Sequence, residues 1–273
     1  MPNIVITGST RGIGYGLAEA FLQAGCCVTL SGRTQAAVER ALAGLASRYG
    51  DERLAGQSCD VTQLEQLQAL WAAAQSRWGR ADIWINNAGV AHPDVPLWEL
   101  PPDVVRAVAE TNLTGTLLGC QVAAAGMLAQ GGGFIYNMEG FGSTGQVRRG
   151  MAAYGSSKAA IHYLNRALAA DLAGTLVKTG SLSPGMVATD LLTLPYAGRP
   201  ADWQRAKRIF NILADPVESV APWLVARMLA NQRNGARLAW LTPARLYWRF
   251  LTAPFNKRDL FAGQPDPSLP KAN

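Results

Sequence analysis

The chain has 273 residues, of which 49% are hydrophobic and 16% are charged, and its formal net charge is +6. This length suits one large α/β domain with a sizeable core, and the composition excludes a disordered chain. The basic residues are scattered rather than clustered, which argues against nucleic-acid binding. No apolar run approaches the length of a membrane span.

The cysteines and histidines show no pattern of a metal site. They are Cys26, Cys27, Cys59, Cys120, His92 and His162. No Cys-x-x-Cys pair or ligand spacing joins them, so we expect no metal and reduced, buried thiols. Because an apolar strand begins at Asn3, we expect no signal or transit peptide and a cytoplasmic protein; a processed organellar protein is the alternative.

The first predicted unit is a strand over residues 3–7, a glycine-rich turn and an amphipathic helix that stops at Gly25. In this context Gly8 permits the tight turn, Gly12 lets the backbone approach a pyrophosphate, and Gly14 lets helix and sheet pack closely. A purely structural turn is the alternative. The predicted cofactor-binding residues here are Gly8, Ser9, Thr10, Arg11, Gly12, Ile13 and Gly14.

The end of the second predicted strand, residues 27–31, indicates which dinucleotide binds. An Asp or Glu at this point holds the 2′-hydroxyl of NAD, but this chain continues with Gly32 and Arg33. Gly32 leaves space, while Arg33 and Arg11 offer guanidinium groups to a 2′-phosphate. We therefore predict NADPH over NADH; the alternative is that both arginines are merely solvated.

Two further strand ends carry polar and small residues. After a third strand at 53–58, Asp60 either accepts a hydrogen bond from the adenine amine or caps a helix predicted over 63–78. A fourth strand at 82–85 ends at Asn86, where small residues let the backbone approach a ligand and amides brace neighbouring loops. The candidate cofactor contacts here are Asp60, Val61, Asn87, Ala88 and Gly89.

A long helical stretch over residues 103–130 is interrupted around Gly115 and Gly119 and contains Asn112. Asparagine is a mediocre residue for a helix interior, so a polar task is plausible for Asn112. A fifth strand follows at 133–137.

Tyr154 and Lys158 lie at the start of a helix predicted over 152–172. Residues four apart on a helix lie on one face, so the phenol and the ammonium can point into the same space. A nearby cation favours the phenolate and lowers the tyrosine pKa, which makes the pair a plausible general acid/base. Taken alone, Tyr-x-x-x-Lys also occurs by chance, as a core ring beside a solvated amine.

The alternation of strands and helices predicts an α/β fold, a doubly wound parallel sheet with helices on both faces. A sixth strand at 177–182 continues the pattern. Ligands bind such sheets beyond the carboxyl ends of the strands, and every motif above lies there or in the helix that follows. We predict one domain over 1–255 and a Pro-rich tail over 256–273.

These motifs, in this order, resemble those of the short-chain dehydrogenase/reductase family. They are Thr7-Gly8-x-x-x-Gly12-x-Gly14, Asn86-Asn87-Ala88-Gly89, Asn112, Tyr154-x-x-x-Lys158 and Pro184-Gly185. The resemblance implies a single Rossmann-type domain that transfers a hydride between a nicotinamide and a carbonyl or alcohol.

The resemblance also implies roles for single residues. Tyr154 would give the proton to the carbonyl oxygen, and Lys158 would bind the nicotinamide ribose and lower the Tyr154 pKa. Asn112 would hold a water that relays protons to Lys158. The residues implied to bind the nicotinamide end are Pro184, Gly185, Val187 and Thr189.

One departure from the family pattern concerns substrate binding. Gly140 stands where the family usually has a serine that helps to bind the substrate carbonyl. Ser143 could substitute, as could Glu139, because a buried Glu can stay protonated near neutral pH. Otherwise the serine's share of binding is absent, and the protein is slow or inactive.

In this departure, a glycine in place of the serine, the chain resembles the chlorophyll(ide) b reductases. Further similarities are Asn137-Met138-Glu139-Gly140 with the Gly-Ser turn after it, the run from Leu182 to Leu192, Phe210-Asn211-Ile212-Leu213 and Leu241-Thr242-Pro243. This resemblance implies NADPH-dependent reduction of the C7 formyl group of chlorophyll b. The alternatives are another bulky apolar ketone or aldehyde, or a non-catalytic NADPH-binding scaffold. Since the plant members carry transit peptides, we expect a prokaryotic, cytoplasmic protein.

The segment over residues 186–213 would overhang the nicotinamide and form an apolar wall for a flat tetrapyrrole; core or dimer contacts are the alternative. The tentative substrate contacts are Glu139, Gly140, Ser143, Met186, Leu191 and Leu192. Aromatics and arginines over 244–255 suit a membrane-surface helix, or a helix that packs against the domain or a partner. The resemblance implies a homo-oligomer, a dimer or tetramer.

Overall fold

Parallel strands form the centre of the fold in the computed structural model, which describes residues 1–256 and 258–262. In chain order the strands are β1 (Asn3–Ile6), β2 (Cys27–Gly32), β3 (Leu54–Ser58), β4 (Ile83–Asn86), β5 (Gly133–Met138), β6 (Val177–Ser183), β7 (Met186–Val187), β8 (Ala214–Asp215) and β9 (Ala236–Ala239). Seven pair in parallel in the order β3-β2-β1-β4-β5-β6-β9, and β7 pairs with β8. The order reverses at β1 and β4, the point at which such sheets open a ligand-binding crevice.

Helices cover both faces of the sheet, as predicted. They are α1 (Gly12–Gln23), α2 (Gln35–Tyr49), α3 (Leu64–Trp78), α4 (Pro102–Val108), α5 (Gly115–Ala129), α6 (Ala152–Asp171), α7 (Asp190–Thr193), α8 (Pro200–Leu213), α9 (Val217–Ala230) and α10 (Pro243–Thr252). Ile4 and Ile6 of β1 face the core formed with α1, α2 and α9, whereas Val5 faces the core formed with α3 and α5. Burial on both faces explains why the strands read as continuous apolar runs. The strand limits agree with the predicted ones to within one residue.

The long helical stretch differs from its prediction. A π-helical turn over Ala109–Thr114 separates α4 from α5, and Asn112 lies inside it. The break therefore lies one turn before the predicted one. Gly115 and Gly119 continue the helix; they are small because Val61 and Asn86 pack directly against them. π-turns are frequent at functional sites.

A lobe, defined here as residues 186–215, covers the carboxyl end of the sheet beyond β6. Its core is an aromatic cluster of Tyr196, Trp203 and Phe210, joined by Phe261. The Trp203 and Phe261 rings meet edge to face at 5.0 Å between centroids. Residues 258–262 therefore still pack on the domain that was predicted to end at 255, and the rest of the predicted tail, 263–273, lies outside the described residues.

Helix α10 presents its apolar side outward. Arg249 donates to Asp215 Oδ2 at 2.6 Å, and Arg245 donates to the Trp240 carbonyl at 2.9 Å, so both arginines point into the protein. Tyr247 and Trp248 are exposed. No helix in the described ranges is long and apolar enough to cross a membrane. Membrane-surface contact through α10 stays a prediction.

Candidate active site

A cavity of about 1170 Å³ opens at the carboxyl ends of the strands. Its wall includes the glycine-rich turn, the end of β2, the segment after β4 and the edge of the lobe. The predicted cofactor residues that line it are Gly8, Thr10, Arg11, Gly12, Ile13, Gly14, Arg33, Asp60, Val61, Asn87, Ala88, Gly89 and Thr189. The topology thus brings most of the predicted contacts into one space large enough for a dinucleotide.

The glycine-rich turn is fixed by backbone contacts that exclude side chains. Gly8 adopts φ +62°, and a Cβ there would lie 2.8 Å from Ala88 Cα. A Cβ on Gly14 would lie 2.5 Å from the Gly8 carbonyl and would strike the Asn87 amide. Asn87 Nδ2 donates to the carbonyls of Thr7 and Gly8, each at 2.9 Å. This bare, braced backbone at the N-terminus of α1 fits a pyrophosphate.

Ser9 was predicted to contact the cofactor, but its side chain points away from the cavity. Its hydroxyl donates to the Ile6 carbonyl at 2.8 Å and accepts from the Ser31 N–H at 2.9 Å. Ser9 is fully buried and ties β1 to β2 instead of lining the cavity.

The end of β2 offers cations to the cavity. Arg33 is exposed, lines the cavity, and its guanidinium makes no hydrogen bond or ion pair to any described residue. Arg11 pairs with Asp190 at 3.3 Å in an exposed contact. Asp60 does not cap α3: its Oδ1 accepts from the N–H and hydroxyl of Thr62, at 3.0 and 2.8 Å.

Tyr154 and Lys158 lie together on α6, with Lys158 Nζ 5.7 Å from the centre of the Tyr154 ring. Burial raises the pKa of Tyr154 to about 12 and lowers that of Lys158 to about 8. We expected Lys158 to lower the Tyr154 pKa, but in this structure the Tyr154 pKa is raised by burial. The Lys158 ammonium donates to the Met138 carbonyl at 3.0 Å and forms no hydrogen bond to the phenol.

His92 is a site residue that the sequence reasoning missed. The Tyr154 N–H donates to His92 Nε2 at 3.1 Å, and His92 Nδ1 lies 2.8 Å from the Pro93 carbonyl. Since a carbonyl only accepts, Nδ1 donates to it, and Nε2 accepts from the Tyr154 N–H. His92 is buried, lines the cavity, and anchors the first turn of α6. A single histidine after the Asn-Asn-Ala-Gly motif carries no recognisable sequence pattern. Its role depends on a contact with Tyr154, which lies 62 residues later in the chain.

Asn112 is fully buried in the π-turn. Its amide accepts from the Val90 N–H at 2.8 Å and donates to the Val90 carbonyl at 3.0 Å and to Ser157 Oγ at 3.3 Å. A Cβ on Gly89 would lie 3.3 Å from Asn112 Oδ1 and 3.9 Å from Lys158 Nζ. Asn112 thus braces the loop after β4 beside the lysine, and its predicted water stays a prediction.

Gly140 leaves room for the tyrosine. A Cβ at this position would lie 2.5 Å from Tyr154 Oη. The proposed replacements for the missing serine are already engaged: Ser143 Oγ accepts from the Gly140 N–H at 3.0 Å, and the Glu139 carboxylate contacts Arg237 and His162. The expectation of a protonated Glu139 that binds the substrate carbonyl is contradicted by the ion pair with Arg237.

The lobe contributes fewer cavity residues than predicted. Leu191, Leu194 and Pro195 line the cavity, whereas Met186 and Leu192 pack against the aromatic cluster inside the lobe. The predicted contacts at Pro184, Gly185 and Val187 shape the turn after β6 rather than the cavity wall; Val187 is buried and pairs with β8.

Comparison with known proteins identifies the family. The family model for short chain dehydrogenase matches residues 2–196. The chain belongs to this family. It is 41% identical over 255 residues to the chloroplastic chlorophyll(ide) b reductase NOL of Arabidopsis thaliana, which covers 92% of this chain and 70% of that protein. A probable chloroplastic chlorophyll(ide) b reductase of Oryza sativa subsp. japonica is 35% identical over 92% of this chain, which spans about half (52%) of that protein.

Solved structures share the fold. A short-chain type dehydrogenase/reductase from Mycobacterium marinum has a TM-score of 0.76 at 26% identity, with 87% of this chain and 93% of that chain covered. The closed form of serine dehydrogenase complexed with NADP+ has a TM-score of 0.76 at 24% identity, with 89% and 95% covered. The protein is thus an oxidoreductase with a Rossmann-type fold, and its family supports a nicotinamide cofactor.

The predicted localisation is wrong. We expected a prokaryotic, cytoplasmic protein, but four chlorophyll(ide) b reductases that match 92% of the chain are named as chloroplastic. Those relatives point to a plastid rather than a prokaryotic cytoplasm.

Proposed function

We propose that the protein uses NADPH to reduce the C7 formyl group of chlorophyll(ide) b to a hydroxymethyl group. The extent of the similarity carries this proposal. The family model ends at residue 196, whereas the match to the Arabidopsis reductase covers 92% of the chain and so includes the rest of the lobe. The edge of the lobe lines the cavity, so the region to which we assign substrate selection lies within the match to the chlorophyll(ide) b reductase.

The edge of the lobe suits a flat, apolar substrate. Leu191 and Leu194 are 41% and 47% exposed, and both line the cavity with Pro195. Sites for large apolar ligands have walls of this kind with few polar groups. The tetrapyrrole ring lies against these side chains, with the formyl group directed towards Tyr154.

Tyr154 is the proton donor. A pKa of about 12 keeps the phenol protonated at neutral pH, as a donor must be. Gly140 provides the space that the phenol occupies, since a Cβ there would lie 2.5 Å from Tyr154 Oη; the proton is transferred from this position to the substrate oxygen. When bound, the reduced nicotinamide supplies the hydride to the carbonyl carbon; the proton from Tyr154 completes the hydroxyl group.

Lys158 holds the nicotinamide ribose. Its ammonium has three N–H donors, of which one is directed to the Met138 carbonyl. The others are available to ribose hydroxyls. Asn112 and His92 keep the loop after β4 and the first turn of α6 in place around this pair.

Arg33 selects NADPH. It follows β2 at the point where an acidic residue would accept from a ribose 2′-hydroxyl, and no acid is present. Its guanidinium is free to form a bidentate contact with a 2′-phosphate. Arg11, held by Asp190 only in an exposed pair, lies on the same cavity wall.

The decisive experiment is anaerobic incubation with NADPH and chlorophyllide b, followed by absorbance spectroscopy and chromatography. We expect 7-hydroxymethyl chlorophyllide a, and none of it without NADPH. Tight NADPH binding without this product would overturn the substrate assignment and direct the search to other bulky apolar aldehydes and ketones.

Tyr154→Phe tests the mechanism in the same assay. Loss of the phenol proton should lower kcat by about 10²- to 10⁴-fold, with NADPH affinity retained. Full activity in this variant would refute the donor role. If the wild-type protein fails to oxidise NADPH with every aldehyde and ketone tested, a non-catalytic NADPH-binding scaffold becomes the better explanation.

A further inference from the structure

Glu139 is a buried carboxylate beside the candidate active site. Its side chain has no exposed surface, and both oxygens have partners. Oε2 accepts from Arg237 Nε at 2.7 Å, and Oε1 contacts His162 Nδ1 at 2.9 Å. Because a carboxylate only accepts, His162 donates through Nδ1. Burial of a carboxylate costs free energy unless the group is paired and hydrogen-bonded, and Arg237 and His162 supply those partners.

The segment that carries Glu139 lies against the Lys158 side chain. The Lys158 ammonium donates to the carbonyl of Met138, the residue before Glu139, and a Cβ on Gly140 would lie 3.2 Å from Lys158 Cγ. His162, which binds the carboxylate, lies one turn after Lys158 on α6. The lysine side chain therefore runs alongside residues 138–140.

The other groups around Lys158 cannot balance its charge. Tyr154 precedes it on α6 and is neutral, His162 is neutral or cationic, and Arg237 from β9 is cationic. Asn112 from the π-turn is uncharged, as is Gly89 from the loop after β4. Among the described residues that face Lys158 from these elements, Glu139 is the one anion.

We propose that Glu139 is a positioning residue of the reaction, whose ionised carboxylate, fixed by Arg237 and His162, keeps the buried Lys158 ammonium charged. Burial by itself lowers the Lys158 pKa, and the Glu139 charge opposes that shift. A charged Lys158 keeps all three N–H donors, whereas the neutral amine would lose one. The inference rests on the proposed function for its link to turnover but not for its effect on the lysine.

The direct test is to titrate Lys158 by NMR of the lysine Cε resonances in the full-length protein. The chain has five lysines, and Lys158→Arg assigns the signal. We expect the Lys158 resonance to titrate near pH 8, the pKa set by burial and Glu139 together. In Glu139→Gln the midpoint should fall by about one pH unit or more. Glu139→Asp should restore most of the difference.

Two further variants separate this effect from damage to the fold. Glu99→Gln removes the same charge at an exposed position and should leave the midpoint unchanged. The double variant Glu139→Gln/Arg237→Gln removes the buried carboxylate together with its more exposed partner, so no guanidinium is left unpaired, and its Lys158 midpoint should also lie below that of wild type. A Lys158 midpoint equal to that of wild type in Glu139→Gln and in the double variant would overturn the proposal.

Turnover provides the second readout. We expect the alkaline limb of kcat to follow loss of the Lys158 charge, so it should move to lower pH in Glu139→Gln, while Glu99→Gln keeps the wild-type profile. If chlorophyllide b is not a substrate, the NMR titration still decides the role of Glu139. A midpoint that falls without any movement of the kcat limb would refute the link to the reaction.

Discussion

The cofactor half of the molecule, residues 1–89, and the lobe are held together in different ways. In the cofactor half the backbone makes the contacts: Asn87 donates to two carbonyls of the glycine-rich turn, and Gly8 and Gly14 leave no space for a Cβ. In the lobe side chains do so, through the aromatic cluster around Trp203.

The two regions are also attached differently. The cofactor half is continuous with the sheet, whereas the lobe is tied to the loop after β4 through Asp94. Tyr196 Oη donates to Asp94 Oδ2 at 3.1 Å, and Arg199 donates to the Asp94 carbonyl at 3.2 Å. The predicted cofactor cradle is thus fixed by hydrogen bonds and close contacts of the backbone, whereas the predicted substrate wall depends on a separately packed cluster of side chains. Variants should therefore damage one region without the other.

The largest effect should come from Trp203→Ala. Removing a buried indole from the aromatic cluster should cost about 3–5 kcal/mol of local stability. We expect loss of carbonyl reduction with NADPH affinity little changed, measured by fluorescence titration and thermal unfolding. Trp248→Ala, at an exposed indole on α10, is the control and should change neither. Equal loss of NADPH binding in Trp203→Ala would contradict the separation of the two regions.

Gly14→Ala should have the reverse effect. The new methyl group would meet the Asn87 amide and the Gly8 carbonyl, so the turn must open, at about 1–3 kcal/mol. We expect NADPH affinity to fall sharply in the same titration. Gly155→Ala adds a methyl group to α6 where nothing lies within 4 Å and is the control. NADPH affinity equal to wild type in Gly14→Ala would mean that the cradle does not hold the pyrophosphate.

Gly140→Ser tests the departure from the family pattern at the boundary of the two regions. The added Cβ would lie 2.5 Å from Tyr154 Oη, so the buried phenol must move. A displacement of about 1 Å can cost about 100-fold in rate, and we expect kcat to fall on that scale with NADPH affinity retained. Gly155→Ala again serves as the control. A rise in kcat would show that the serine was missing rather than excluded.

The smallest effect should come from Arg33→Ala. Loss of one charge-assisted contact to the 2′-phosphate costs about 1.5–3 kcal/mol, which corresponds to about 10- to 150-fold weaker NADPH binding. NADH binding should be unchanged. Arg106→Ala, at an exposed arginine outside the cavity wall, is the control. Equal losses for both cofactors in Arg33→Ala would refute the assignment.

The sequence by itself determined the parts that depend on local pattern. Strand limits, the glycine-rich turn and the placement of Tyr154 one turn before Lys158 follow from periodicity and from residues that lie close in the chain. Most predicted cofactor contacts line one cavity for the same reason, since parallel strands all end at one edge of the sheet. The break in the long helical stretch was predicted around Gly115 and Gly119 but lies one turn earlier, at Ala109–Thr114, because the position of a break in a long helix depends on what packs against it.

Only the tertiary structure decided the state of the charged and buried groups. Glu139 meets Arg237 across 98 residues, and His92 meets Tyr154 across 62. These contacts hold the Glu139 and His92 side chains in place, and no local pattern encodes them. Met186 and Leu192, which were predicted for the substrate wall, pack instead against the aromatic cluster, which Phe261 joins from beyond the predicted domain. Short motifs therefore identify the candidate catalytic and cofactor-binding residues. The ion pairs around them and the shape of the lobe depend on contacts between segments far apart in the chain.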